Sequence, residues 1–298
     1  MKTIRLICNP TSGRAAALDK ALKLASRLVE EGHLVSLYKT TKPGDAYDEV
    51  CRSKDGPWDL FVAIGGDGTI NEVAGGILDC GLSTPMGIMQ EGTVNDIAKF
   101  LQMSSDPDDF VDRVNRWDIE KIDIGSTGQR YFMNVAAGGL FTSVAHHTPS
   151  ELKSMLGRTA YYLEVMRELT TKWMASYPLR ITCGDQVFEE RFHLFIITNT
   201  PHVGGLDRVA PLAEIQDGLL DCIFVRETDS LQEAADIFWR VLRGEHIDHD
   251  KVLYLRTDQI SVTSTDENDQ LELDVDGEFA GHLPVNITVH RNAVRLLR

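Results

Sequence analysis

The chain has 298 residues, a formal net charge of −15, 43% hydrophobic and 25% charged residues. That length supports two cores, and the composition is that of a globular protein. So acidic a balance excludes nucleic acid as the main partner, because a phosphate backbone demands clustered Lys and Arg. No apolar run approaches the roughly 20 residues that span a bilayer. Met1 to Arg5 reaches polar Asn9 too soon for a signal-peptide core, so a cytoplasmic protein is expected. The cysteines (Cys8, Cys51, Cys80, Cys183, Cys222) are scattered, odd in number and free of CxxC spacing. That pattern fits reduced thiols, not a disulfide framework or a zinc site.

In chain order, strands are expected near 3–9, 35–40, 60–65 and 85–89, alternating with helices near 15–31, 44–53, 69–78 and 93–100. Alternation of this kind implies a mostly parallel sheet with helices on its faces. Near residue 125 the organisation changes. Strands then dominate, at 131–136, 177–183, 187–198, 219–226, 252–264 and 270–276, with helices near 150–174 and 230–243. The expected fold class is therefore α/β: an N-terminal domain (1–125) with a mostly parallel sheet, and a C-terminal mostly antiparallel β domain (126–298). The last strand, about 288–298, can return to the first domain. In the helix near 150–174, Leu152, Met155, Leu156, Leu163, Met166 and Trp173 follow helical spacing and read as core.

The most telling stretch is Leu60–Ile64, an apolar run that breaks into Gly65-Gly66-Asp67-Gly68-Thr69. Glycines at a strand-to-helix turn let the backbone approach a ligand, and the free N–H groups of the helix start attract an anion. Thr69 reads as the cap of the helix that carries Asn71. Asp67 is the odd member: a carboxylate beside phosphate repels it unless a divalent cation intervenes or the acid handles a proton. The plainer reading is a glycine-rich connection with a solvated Asp. A similar turn follows one βα unit later, where Met86–Gln90 runs into Glu91-Gly92-Thr93-Val94-Asn95-Asp96. Asp123 is a third acid, ending the run from Ile119. In open α/β sheets ligands bind beyond the carboxyl ends of strands, so these acids can converge. After the first strand, Asn9-Pro10-Thr11-Ser12-Gly13-Arg14 lacks Walker A spacing, and no GxGxxG fingerprint follows any strand.

In the second half, Glu272, Asp274 and Asp276 alternate with Leu271, Leu273 and Val275, and Asp276-Gly277 is a strong hairpin signal. Spacing alone favours solvated carboxylates at a hairpin tip. Gln216-Asp217-Gly218 reads as a turn into the strand beginning at Leu219 or Leu220.

Taken together, NPTSG (9–13), GGDGT (65–69), GTVND (92–96) and DVDGE (274–278) resemble the motif set of bacterial soluble lipid kinases of the diacylglycerol kinase type. Thr148 to Met155 and Arg243-Gly244-Glu245-His246 extend that resemblance over essentially the whole chain. GGDGT alone also occurs in NAD kinases and phosphofructokinases; the order of the four motifs points to the lipid branch.

The resemblance implies an ATP- and Mg2+-dependent kinase that phosphorylates a hydroxyl of diacylglycerol or a close relative, with its active site between the domains. ATP would contact Asn9, Pro10, Thr11, Ser12, Gly13, Thr40, Gly65, Gly66, Asp67, Gly68, Thr69, Ile70, Asn71 and Thr93. Asp67, Asp96 and Asp123 would organise a catalytic magnesium, and Glu278 would accept the proton of the attacking hydroxyl. A structural magnesium would take the Asp217 side chain and backbone oxygens of Glu214 and Leu219. Relatives can carry a basic residue where this chain has Glu164, leaving Arg158 or Arg14 to support phosphate. The lipid would be met at a membrane surface by a transiently associated protein, and a homodimer is compatible with the pattern. Two alternatives stay open: an NAD kinase-like enzyme for a soluble hydroxyl, and a non-catalytic lipid- or nucleotide-binding regulator.

Overall fold

The computed structural model describes residues 1–12, 16–91, 95–140, 171, 173–266 and 270–298. It divides into two compact units, Met1–Ile124 with Arg291–Arg298, and Gly125–His290. Parallel strands build the first and antiparallel strands the second, giving the mixed α/β architecture that the alternation implies.

In the first unit, β1 (Thr3–Cys8), β2 (Leu34–Lys39), β3 (Leu60–Gly65) and β4 (Met86–Gln90) form a parallel sheet in the order β2-β1-β3-β4. Every residue of β3 is buried, as a continuous apolar run flanked by helices requires. Helix α1 (Ala17–Glu30) places Ala17, Ala21, Leu24 and Leu28 on one buried stripe. These meet Leu6, Val62, Met89 and the Phe110–Val114 face of α5 (Pro107–Arg116) in one core. Each fully buried Leu or Phe of this kind contributes about 1.5–3 kcal/mol. Helix α5 was not among the expected elements, although its start carries familiar signals. Asp106 caps it by accepting from the Asp108 amide at 3.0 Å, and Pro107 fills the first position.

Helix α2 (Asp45–Arg52) sits against β1 through Arg5, whose Nε donates to Glu49 at 2.9 Å. It also packs on α3 (Asp67–Asp79), where a Cβ on Gly76 would come within 2.8 Å of the Val50 side chain. Glu72 of α3 accepts from the amides of Gly44 and Ala46, at 2.8 and 3.0 Å, and so satisfies the first turn of α2. This contact aligns the two helices, and Cys51 and Cys80 are joined as a disulfide across 5.9 Å between Cα atoms. The expectation of five reduced thiols is thereby corrected; Cys8, Cys183 and Cys222 are free. The partners lie 29 residues apart and meet only because the helices pack.

Helix α4 (Asp96–Phe100) is short, and β5 (Ile119–Ser126) pairs with β15 (Val285–Leu297). The end of β15 lies in the first unit, where Leu296 pairs with Met86 of β4.

The second unit orders β14 (Glu278–His282), β13 (Glu272–Val275), β7 (Val135–Gly139), β9 (Gln186–Thr198), β8 (Tyr177–Cys183), β12 (Gln259–Ser264) and β15, with β10 (Leu220–Arg226) and β11 (Val252–Thr257) extending from β9. Phe192, Phe195 and Phe224 form its aromatic centre, with ring centroids 5.6 and 5.9 Å apart for the two pairs made by Phe224. Helix α6 (Leu231–Arg243) begins with a capping box: Ser230 accepts from the Glu233 amide at 3.2 Å, and Glu233 accepts from the Asp229 amide at 2.8 Å.

Two expected strands divide. The stretch 131–136 breaks between β6 (Tyr131–Phe132) and β7, because the Met133 and Asn134 amides turn to the Asp276 carboxylate. The stretch 252–264 bends at Asp258, where the Thr257 hydroxyl bonds the amide and carbonyl of Gln259. As a result β11 pairs with β10 and β12 with β8. The helix expected at 150–174 lies almost wholly outside the described residues.

Candidate active site

The carboxyl ends of four parallel strands lie side by side in the first unit. The Thr40 amide bonds Cys8 O, the Asn9 amide bonds Ile64 O, and the Glu91 amide bonds Gly65 O, at 2.9, 2.9 and 3.1 Å. These bonds carry the sheet one step past its strands and bring three connections to one edge: Asn9–Ser12, Gly65–Thr69 and the segment entering α4. Asn9 folds its loop back on itself, accepting from the Thr11 amide at 3.1 Å and the Thr11 hydroxyl at 2.8 Å.

At the β3 end, helix α3 starts at Asp67 with Gly66 extended as its cap. Thr69 is therefore not the cap; it is a buried residue of the first turn. Its hydroxyl explains Gly65, where a Cβ would stand 2.5 Å from Thr69 Oγ1. The opening amides of α3 have no partner inside the helix and carry the positive end of its dipole, an arrangement suited to phosphate. Asp67 sits in that first turn, Ile70 is buried behind it, and Asn71 follows on the half-buried face.

Asn95 links the start of α4 to the Gly65 turn. It is 1% exposed, adopts a left-handed backbone (φ 43°), and its Nδ2 donates to Gly65 O at 3.4 Å. Asp96, also buried, opens α4 directly after it. The structure thus brings Asn9, Thr40, Gly65–Asn71, Asn95 and Asp96 to neighbouring strand ends. Glu91, at the same edge, is buried and ion-paired with Lys20 of α1. Cys8 lies under this edge; burial, then the charge of Glu91, pushes its thiol up to about 11, which leaves it unreactive.

Asp123 takes its position by another route. It is fully buried on β5 and accepts from the Asn292 amide of β15 at 2.6 Å. Gly13, Arg14, Gly92, Thr93, His146, His147, Thr148–Met155, Arg158 and Glu164 lie outside the described residues.

In the second unit, Asp276 and Gly277 both have positive φ (50° and 85°) and make the tight turn between β13 and β14. Asp276 and Asp274 are not simply solvated, contrary to the reading from spacing, whereas Glu272, Gly277 and Glu278 are exposed. The Asp276 carboxylate accepts from the amides of Met133, Asn134 and Val135, at 2.9, 3.2 and 2.7 Å, and its own amide bonds Val135 O at 2.9 Å. Asp274 is buried and accepts from the Gly277 amide at 2.9 Å. The hairpin is therefore buckled to residues far earlier in the chain. Glu278 follows the turn with its side chain 64% exposed, 3.2 Å from Arg130. That exposed pair is worth little energetically, so the carboxylate is accessible to a hydroxyl. Asp276, which spacing left as a solvated acid, is the positioning residue that sequence reasoning missed.

The expected structural magnesium meets a different arrangement. Asp217 Oδ1 accepts from the Leu219 amide at 2.8 Å, and its Oδ2 is ion-paired with Arg256, while Glu214 is exposed. Arg256 also lies 3.4 Å from Asp221, which is 1% exposed and accepts from Tyr254 Oη at 2.5 Å. Burial, more than any other cause, raises the Asp221 pKa above the ordinary carboxylate value. The Arg256 guanidinium thus pairs with the same carboxylate that the resemblance assigns to a structural magnesium. Among the described residues, no group of three or more His, Cys, Asp or Glu could hold a metal ion.

Residues 3–127 match the diacylglycerol kinase catalytic domain, and residues 134–298 match the YegS C-terminal NAD kinase beta sandwich-like domain. A diacylglycerol kinase from Staphylococcus saprophyticus is 38% identical over 285 residues, 96% of this chain and 92% of that protein. The chain belongs to the diacylglycerol kinase family. Family relatives in Staphylococcus aureus include one 37% identical over 96% of this chain and 89% of its own length. A crystal structure of a diacylglycerol kinase from Bacillus anthracis shares the fold, with a TM-score of 0.78 at 22% identity over 99% of this chain and 96% of that one. Membership in the family makes the chain a kinase. No helix among its described residues is long and apolar enough to cross a membrane.

Proposed function

We propose that the protein transfers the γ-phosphoryl group of ATP to the hydroxyl of diacylglycerol, giving phosphatidic acid, at a membrane surface. The observation that carries this reading is the Gly65 turn bonded by Asn95 Nδ2, with Asp67 and Asp96 opening the helices at the two adjacent strand ends. The amides that begin α3 cradle phosphate oxygens. Asn9 to Gly13, Thr40, Gly65 to Asn71 and Thr93 form the nucleotide-contacting set. Magnesium bound with the nucleotide would neutralise charge on the phosphates, and Asp67, Asp96 and Asp123 would organise it partly through water, since the three do not close on one ion as a direct ligand cage. Glu278 accepts the proton as the lipid oxygen attacks, while positioning and charge stabilisation do most of the catalytic work.

A radiolabelled ATP assay against diacylglycerol, other lipid alcohols and soluble alcohols including NAD tests the proposal. Label in diacylglycerol supports it; label confined to soluble acceptors overturns it in favour of the NAD kinase-like reading. Asp67→Asn is expected to keep the fold and lower turnover about a hundredfold or more, checked by kcat alongside circular dichroism.

A further inference from the structure

Contacts at three levels tie α2 to α3, and together they identify a covalent site outside the kinase machinery. Near its start α2 is held by Glu72, which accepts from the Gly44 and Ala46 amides. In the middle, Gly76 lets the helices close until Val50 and the Tyr47 carbonyl fill the space of a Cβ. At the far end Tyr47 Oη donates to Asp79 at 3.0 Å, and Cys51 meets Cys80 across 5.9 Å between Cα atoms, a separation that suits a disulfide. Both cysteines are partly exposed, unlike the buried Cys8 and Cys222. Cys51 also opens on a polar cleft of about 540 Å3 shared with Tyr38, Lys42 and Arg52, so a small oxidant can reach it from solvent.

We propose that Cys51 and Cys80 are a reversible dithiol–disulfide site, acted on by low-molecular-weight disulfides of the glutathione class. The Cys51 thiolate attacks the small disulfide and expels one small thiol, leaving a mixed disulfide. The Cys80 thiolate then attacks the Cys51 sulfur and expels the second. Two protein thiols and one small disulfide become one protein disulfide and two small thiols, and the two electrons leave with the small thiols. The bond joins partners 29 positions apart in the chain, so it restricts the unfolded chain and stabilises the folded one. Because α3 begins at Asp67 and Cys80 is its C-terminal cap residue, oxidation also clamps the helix whose opening turn lies at the glycine edge.

The experiment equilibrates the full-length protein, still folded, with oxidised or reduced glutathione. Acid quenching, alkylation and peptide mass mapping follow, with melting temperatures measured on matched samples. After oxidised glutathione, Cys51 and Cys80 are expected in one cross-linked peptide that resists alkylation. Dithiothreitol applied to the folded protein should return both to alkylation. The oxidised form should melt several degrees above the reduced form, and Cys80→Ser should abolish that difference. Full alkylation of both cysteines after oxidation, a persistent glutathione adduct without a bridge, a bridge that dithiothreitol cannot open, or equal melting temperatures would each overturn the proposal. Should Cys80→Ser fail to fold, the wild-type comparison decides alone.

Discussion

The glycine edge of the first unit and the acidic hairpin of the second are held by different means. At the glycine edge, the arranging contacts run between adjacent strand ends: Thr40 to Cys8, Asn9 to Ile64, Glu91 and Asn95 to Gly65. Each connection follows a strand whose apolar run announces it. At the hairpin, Asp276 is fixed by amides 141 to 143 residues earlier in the chain, and only then does Glu278 acquire a defined place. The first design can be assembled from βα units; the second exists only when two remote segments meet. A carboxylate in a turn therefore has opposite meanings in the two regions. Asp67 opens a helix at the turn proposed to approach nucleotide, whereas Asp276 gives its oxygens to amides of the protein itself.

The largest expected effect tests whether the hairpin serves chemistry at all. Glu278→Gln should lower single-turnover phosphorylation of micellar diacylglycerol at saturating ATP by a hundredfold or more, roughly the worth of a positioned base. Its stability should change by no more than about half a kcal/mol, as for other exposed substitutions. A rate within a factor of a few of wild type would remove the hairpin from the reaction and leave the comparison purely structural.

Asp276→Ala separates positioning from catalysis. Three amides lose a charged acceptor, so urea denaturation should show a loss of about 3 kcal/mol. Activity should fall with it even though Glu278 is intact. A stability change below about half a kcal/mol would mean that the β-ladder alone, without Asp276, holds the turn.

Arg256→Gln probes the second acidic turn. Losing a charge-assisted partner of Asp217 and Asp221 should cost about 2 kcal/mol. Wild-type melting temperature should be indifferent to EDTA, because the chain supplies the cation from its own side chain. A chelator-induced drop restored by magnesium would reverse that assignment.

The smallest effect concerns pH. His246 is fully buried, its Nε2 donates to Val209 O at 2.9 Å, and its Nδ1 has no partner among the described residues. Burial lowers its pKa below the ordinary 6.5. Below pH 6.5 the unfolded chain takes up a proton that the folded chain resists, so acidification costs stability in that window, down through the folded pKa. Urea midpoints at pH 7.5 and 5.5 should differ less in His246→Gln than in wild type; equal differences would exclude His246 as the source.

Strands β1, β3 and β8, helices α1 to α3 on the parallel sheet and the capped helix α6 were all readable, because period and punctuation are local; α5 was passed over despite its own start signals. The turns at Gly65 and Asp96 were readable for the same reason. Thr69 was misread as a cap because its contact is with Gly65, behind it in the turn. The break at Met133–Asn134 had no local signal, since its cause is a carboxylate more than a hundred residues away. Neither did the Cys51–Cys80 bridge, which depends on the close approach permitted by Gly76.

What this sequence determined unaided was the alternation that makes a parallel sheet, the glycines and acids at its carboxyl edge, and the motif order that marks its family. Those properties follow from hydrophobic period and backbone conformational freedom, which act over a few residues. Tertiary structure alone decided which acids are spent. Asp276 went to backbone amides, Asp217 to Arg256, Glu91 to Lys20 and Glu72 to the start of α2, while Glu278 stayed exposed beside Arg130. Five carboxylates that look alike in the chain diverge because a buried charge must find donors or a counter-ion wherever the fold happens to bring them.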